Sequence, residues 1–425
     1  MNINIGSLIL GFLLPPIHGA ASPRPGRPPA GRRATSAPVL RLLGPARTRS
    51  YAHACPLSNN TLLVASEWMR GKNLRRVALH LCRRTPTRYR CTSPVDLPLS
   101  DPRQGFSHPF LVCPRRPRTA ASNATVRTQR NSKPQPTLLF VRHGRLAAQR
   151  THIAVFAITR HPRCRPGSCR TAVLVQKLSN VSVPRHTLGT DLVPFAHRGP
   201  QNLIWLTVSA TTSTGARKLW LLHTKDGQQF SLHPRKALWT GRDGAVLRLA
   251  KRRFFALYRR RKPQPSRVIR QSPARRLHTA ARSVPRQASS GTGSGLRLNV
   301  FYRWSKDGTH WTAAKKLPSI SAKAGLPHPW GVDPKRVAVY CETRDPRHAR
   351  FGIGVISIHT KTGAGKLRQL VPMQRKRKLR PAPFARPGTG KAALLFTQEL
   401  ARLRYDLRVL ERTAAPSDPS PPARK

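Results

Sequence analysis

Six times along this chain a short apolar run is followed by a polar turn and a second apolar run. The first runs begin at Thr61, Thr137, Asn202, Arg253, Arg336 and Ala392. Their partners begin at Arg76, His152, Lys218, Leu296, Phe351 and Tyr405. The runs are too short for helices and rich in β-branched and aromatic residues, which is the signature of buried strands. In five of the six units the two runs start 13–16 residues apart, a hairpin spacing. In the fourth unit an insertion over 262–295 separates them. Pro109-Phe110, Pro194-Phe195, Pro329-Trp330 and Pro383-Phe384 precede four of the first runs and mark a shared inner strand. Six repeats of three or four strands with no helical period predict an all-β fold, a six-bladed β-propeller. A β-sandwich would also supply short strands, but it does not require the same unit six times.

Two turns after the partner strands share a pattern. Thr224, Asp226, Gly227 and Phe230 align with Ser305, Asp307, Gly308 and Trp311 as S/T-x-D-G-x-x-aromatic. Asp caps such a turn, Gly supplies positive φ, and the aromatic packs back between strands. The pattern resembles the Asp box, or BNR repeat, of sialidases and related propellers. Thr360-Lys-Thr362-Gly363 reads as a decayed third copy. In that family the box is structural and lies away from the active face, so it carries the fold and not the activity. The first unit is similar to the sialidase N-terminal signature, in which an Arg-Ile-Pro strand leads to a Thr-Leu-Leu strand ending in Glu. Thr61, Leu62, Leu63 and Glu67 match its second part. Tyr51-Ala52-His53-Ala54 stands where the arginine motif would be. The family's first carboxylate-binding arginine is absent there, which tells against sialic acid as the ligand.

Three of the four glutamates occupy one repeat position, directly after the first runs: Glu67, Glu342 and Glu399, each followed closely by Arg70, Arg344 or Arg402. In a propeller that strand end lies on the face where the inner strands begin, together with His53, His108 and His328. These residues are candidates for a funnel that binds an anionic sugar through guanidinium contacts and supplies a general acid or base. Sialidases use a tyrosine nucleophile. Tyr340 and Glu342 lie i, i+2 on one strand and share a face, so they form the first pair to test for catalysis. The competing reading makes the glutamates ion pairs at hairpin ends, the histidines propeller packing and Tyr340 a core residue.

Lys and Arg number 79 against 14 Asp and Glu, a formal charge of +65. Such a field draws any polyanion. The arginines are dispersed rather than gathered into one face, so no dedicated nucleic-acid motif is visible, and compositional bias is the plainer explanation of the charge. The expected partner is an anionic glycan or other polyanion. There is no phosphate loop, serine elbow or zinc motif, and no cofactor or metal is expected.

Residues 1–21 read as a secretory signal peptide, too short to span a bilayer, and no other segment could span one. Residues 22–50 read as a disordered Pro/Arg-rich linker, 51–412 as the propeller, and 413–425 as a disordered tail. The expected location is secreted, periplasmic or cell-surface, and the expected state is a monomer. Of seven cysteines, Cys82/Cys91 and Cys164/Cys169 are spaced to close local hairpins, and the odd count leaves one thiol over. Asn59, Asn123 and Asn180 each head an Asn-x-Ser/Thr acceptor sequon, meaningful only in a glycosylating secretory pathway.

Overall fold

The computed structural model describes residues 39–43, 49–70, 74–98, 105–114, 135–144, 152–160, 173–183, 187–188, 194–211, 217–240, 242–261, 298–317, 327–345, 348, 350–375, 378–386, 392–401 and 404–411. The segments read as signal peptide, insertion and tail lie outside the described residues, as do Cys164, Cys169 and Asn123. The described residues form β-strands and one short 3-10 turn at Pro200–Asn202.

The strands make six antiparallel blades arranged as a β-propeller. Blade one runs from Arg49–Pro56 through Thr61–Arg70 and Leu74–Arg84 to Tyr89–Cys91. Blade two follows with Gly105–Val112, Thr137–Gly144, His152–Arg160 and Val173–Val181. Blade three is built on Phe195–Arg198, Ile204–Thr211 and Arg217–Thr224, and its outer edge is divided between Ser231–Leu232 and Trp239–Thr240. Arg242–Ala250, Arg253–Arg261, Leu298–Ser305 and Lys315–Lys316 form blade four. Blade five holds His328–Asp333, Arg336–Asp345, Arg350–His359 and Arg368–Gln374. Lys378–Ala385, Ala392–Ala401 and Arg404–Leu410 form blade six. All six apolar runs are second strands and all six partners are third strands. The Pro-aromatic pairs lie at or beside the inner strands.

Alternation explains why the second strands are apolar throughout. Successive side chains point to opposite faces, and each blade is covered on both. Leu63 and Ala65 pack with Leu139, Val141 and Phe156 of blade two, whereas Leu62 and Val64 pack with Ala393, Leu395 and Val409 of blade six. Leu394 and Phe396 turn the other way, onto Ala338, Tyr340 and Val355 of blade five. The core is therefore a ring of interblade layers, and it closes between the last blade and the first.

A strand from the N-terminal side completes that closure. Val39–Leu43 pairs antiparallel with the last strand, Val39 opposite Leu410, and its far end runs parallel to the outer strand of blade one, Leu42 opposite Tyr89. These residues, with Arg49 and Ser50 of the first inner strand, fall inside the stretch expected to be linker. Averaged over that Pro/Arg-rich stretch, the composition hides one five-residue run with four apolar residues, Val39-Leu-Arg-Leu-Leu43, bounded by Pro38 and Gly44.

Cys82 and Cys91 are disulfide-bonded across adjacent strands of blade one. Cys55 and Cys113 bond the ends of the inner strands of blades one and two, a pairing that spacing alone does not suggest. Cys341 is a free, buried thiol, and burial pushes its pKa up to about 12. In the box turns, Thr224 Oγ1 accepts from Gly227 N at 2.9 Å and Ser305 Oγ accepts from Gly308 N at 2.8 Å. Asp226 Oδ1 accepts from Gln228 N, and Asp307 Oδ1 from Thr309 N and His310 N. Gly227 and Gly308 take φ of 84° and 81°, a region that excludes most side chains. Trp311 Nε1 donates to Gly308 O, and Phe230 meets Phe140 of blade two edge-on.

Candidate functional site

Rings from blades one, two, three and five can meet only at the centre of the toroid, and four of them do. His53 lies 4.1 Å from Phe110 and 5.6 Å from His328, centroid to centroid. Phe195 lies 5.2 Å from Phe110 and 5.3 Å from His328. His328 opens its inner strand and Phe195 the described inner strand of blade three, whereas His53 and Phe110 lie past the middle of theirs, so the plug is assembled from different depths of the inner strands. Phe110, Phe195 and His53 are buried, whereas His328 keeps partial access.

Two residues before His53 and before Phe110, nearer the starts of those strands, a second group of side chains gathers. Tyr51 meets His108 with ring centroids 4.0 Å apart and planes tilted by 58°, and the guanidinium of Arg380 from blade six lies over the Tyr51 ring. His108 and Arg380 each precede a proline and each takes positive φ, 56° and 49°. Both mark bulges, since register shifts there between Ser107 and Phe110 and between Leu379 and Ala382. The bulge re-aims the residue before proline toward the axis. Arg380 was not legible as a site residue, although Arg380-Pro381, like His108-Pro109, is a residue-proline pair at an inner-strand bulge.

The predicted carboxylates occupy other surroundings. Glu67 is 1% exposed; its Oε2 accepts from His108 N at 2.9 Å, and its Oε1 pairs with Arg75 at 3.2 Å. Arg75 belongs to the third strand of the same blade, two residues before Val77, which stands opposite Glu67; the side chain of Arg70 lies outside the described residues. Tyr340 packs in the layer between blades five and six, against Leu394 and Phe396. Glu342, buried on the same strand face, therefore points toward blade six. Arg344 stands 5.4 Å over the ring of Phe351. The backbone of Glu399 pairs with Tyr405; its side chain and Arg402 lie outside the described residues.

Burial sets the electrostatics of the plug. It pushes the His53 imidazole down to about 3, and it holds His328 well below the usual histidine range, with the neighbouring His53 adding to the effect. His197, farther along the same inner strand as Phe195, is pushed down to about 4 by burial. These imidazoles are neutral at neutral pH. A general base works best with a pKa near the operating pH, so they are suited to hydrogen bonding and stacking rather than proton transfer. His53 Nδ1 accepts from Leu111 N, and its Nε2 is buried with no hydrogen-bond partner among the described residues. Burial also draws Arg380 well below the usual arginine range, and its Nη1 has no hydrogen-bond partner among the described residues. Among the described residues no cluster of His, Cys, Asp or Glu could hold a metal ion, and no helix is long and apolar enough to cross a membrane.

No protein-family model matches this chain, and no curated protein does. Solved structures do. The α-L-arabinofuranosidase of Fusarium graminearum, bound to an iminosugar inhibitor, is similar at a TM-score of 0.52 and 16% identity, over 88% of this chain and 97% of that one. The sialidase of Trypanosoma rangeli in complex with sialic acid is similar at 0.51 and 8% identity, over 89% of this chain and 57% of that one. The same sialidase with the inhibitor DANA gives 0.50 and 7%, and there the chain spans about half the length of its neighbour, 55%. At such identities the likeness is one of fold: the chain has the six-bladed propeller architecture found in glycoside hydrolases of both kinds.

Proposed function

We propose that this is a secreted glycan-binding propeller whose ligand rests on the axial rings, with the sugar carrying acidic groups. The observation that supports this reading is the plug itself. With the neighbouring Arg380 it combines ring faces with polar atoms, His53 Nε2 and Arg380 Nη1, that lack a hydrogen-bond partner among the described residues, which is the composition of a small-molecule site: mostly apolar and aromatic, with a few placed polar atoms. Arg380 and the net charge of +65 favour an anionic ligand over a neutral one. The disulfides in blades one and two fit an oxidising compartment, in keeping with the signal-like start of the chain.

Hydrolysis at Tyr340 and Glu342 is the second reading, suggested by the glycosidase neighbours. It stands behind the first because Tyr340 is 3% exposed within an interblade core. Calorimetric titration with sialylated, sulfated and neutral oligosaccharides separates the possibilities. Binding by an acidic glycan that His328→Ala weakens at least tenfold is expected. A chromogenic sialoside that turns over, and ceases to in Glu342→Gln and Tyr340→Phe, would replace binding with catalysis. Heparin affinity that falls steeply with salt and ignores His328→Ala would assign the interaction to dispersed surface charge instead.

A further inference from the structure

Between the outer strand of blade two and the box hairpin of blade three lies a cavity of about 620 Å³, within the roughly 300–1,000 Å³ range of small-molecule sites. It is lined by Asn180 and Ser182 on one side and by Gln228, Phe230 and Arg235 on the other. The two residues from blade two are the ends of the sequon Asn180-Val181-Ser182. Alternation along the strand sends Val181 into the core, fully buried, and turns its neighbours outward together. The side-chain amide of Asn180 is exposed and makes no hydrogen bond with any described residue. The cavity wall opposite it holds a half-buried aromatic ring, an exposed amide and an exposed guanidinium.

We propose that Asn180 is an N-glycosylation site and that the first sugar of its glycan seats in this cavity against Phe230. The bond forms between Asn180 Nδ2 and C1 of an acetamido sugar supplied by a lipid-pyrophosphate-linked oligosaccharide. The amide gives up one proton, the lipid pyrophosphate leaves with the bonding electron pair, and no redox partner is needed. The cavity is matched to a pyranose: the Phe230 ring offers a flat apolar face, and Gln228 and Arg235 reach the hydroxyls and the acetamido oxygen. A seated sugar would also fill the gap between two blades. This inference rests on the reading of the chain as secreted.

The full chain is produced in a human secretory cell line and the medium analysed by mass spectrometry after peptide N-glycosidase treatment in heavy-oxygen water. Conversion of Asn180 to labelled aspartate, and loss of one glycan mass in Asn180→Gln and in Ser182→Ala, is expected. Release of that glycan by the glycosidase from the folded protein is expected to be slow, and several-fold faster in Phe230→Ala and in Arg235→Ala; the second, at an exposed position, preserves folding. An unmodified Asn180 in secreted protein overturns the site, and equally fast release from folded and denatured protein overturns the seat. A chain retained in the cytosol with no glycan at any sequon refutes secretion instead. The full chain behind a strong heterologous leader then decides the site, because an unmodified Asn180 there overturns it.

Discussion

The closure of the ring hangs on the fourth glutamate, Glu411, which directly follows the last strand. Both its oxygens accept from Arg84 of blade one, each at 2.7 Å, and Oε1 also accepts from Tyr89 Oη at 2.7 Å. Arg386 of blade six approaches to 3.9 Å. Burial pushes the Glu411 carboxyl up, and the bonds from Arg84 and Tyr89 with the charges of Arg84 and Arg386 more than offset it, leaving the group below its usual range. In Glu411→Ala, charge-assisted bonds of about 1.5–3 kcal/mol are lost and the buried Tyr89 hydroxyl is left unsatisfied at a cost of about 1–3 kcal/mol. Arg84 is 36% exposed and regains water, so its share falls at the low end, and the expected total is about 3–4 kcal/mol. In a cooperative unit this large each kcal/mol moves Tm by about 1.5–2 °C, so calorimetry should show a fall of about 5–7 °C. Arg84→Ala in the Glu411→Ala background should add little, because the two act as one clasp. A Tm within a degree of wild type, or strictly additive losses, would refute the reasoning.

Asp307→Ala is expected to lower stability by about 1–2 kcal/mol, as loss of a turn cap does, with glycan affinity unchanged; an unaltered denaturant midpoint would mean the box bonds are idle. Stability should also decline in mild acid. Unfolded imidazoles titrate near 6.5, whereas folded His53 and His197 are pushed to about 3 and about 4. The folded state therefore keeps its full advantage above about 6.5 and loses it as pH falls toward 4, where the unfolded chain binds protons that the folded one does not. His53→Phe should flatten the profile between pH 7 and 5, and a wild-type profile already flat there would contradict the burial argument. Among disulfides, opening Cys55–Cys113, 58 residues apart, should cost about 4 kcal/mol, against about 2.5 for Cys82–Cys91, 9 apart; reversed costs in paired Cys→Ser variants would show that strain, not loop entropy, governs them.

What was legible along the chain was local. A strand covered on both faces needs consecutive apolar residues, so Leu62–Ala65 and Val337–Tyr340 announced themselves, and six copies fixed the blade count. Positive φ and side-chain capping need Asp and Gly in sequence, so the box turns were readable from Thr224 and Ser305 onward. The repeat position shared by Glu67 and Glu342 was visible too, but its purpose was not. Glu67 binds a backbone N–H of the next blade, and a bond between residues 41 apart in the chain leaves no trace in either local pattern.

The tertiary structure decided everything that depends on the axis. Tyr340 has the residue type expected of a nucleophile, yet side-chain alternation aims it between blades five and six. Arg380 looked like one arginine among many until a bulge before Pro381 turned it onto Tyr51. Val39–Leu43 gained its identity only by pairing with a strand at the other end of the chain. Sequence encodes the period and turn chemistry of each blade because these act over a few residues. Which side chains meet at the centre, and how first and last blades clasp, follow from closing the ring, which brings together residues hundreds of positions apart.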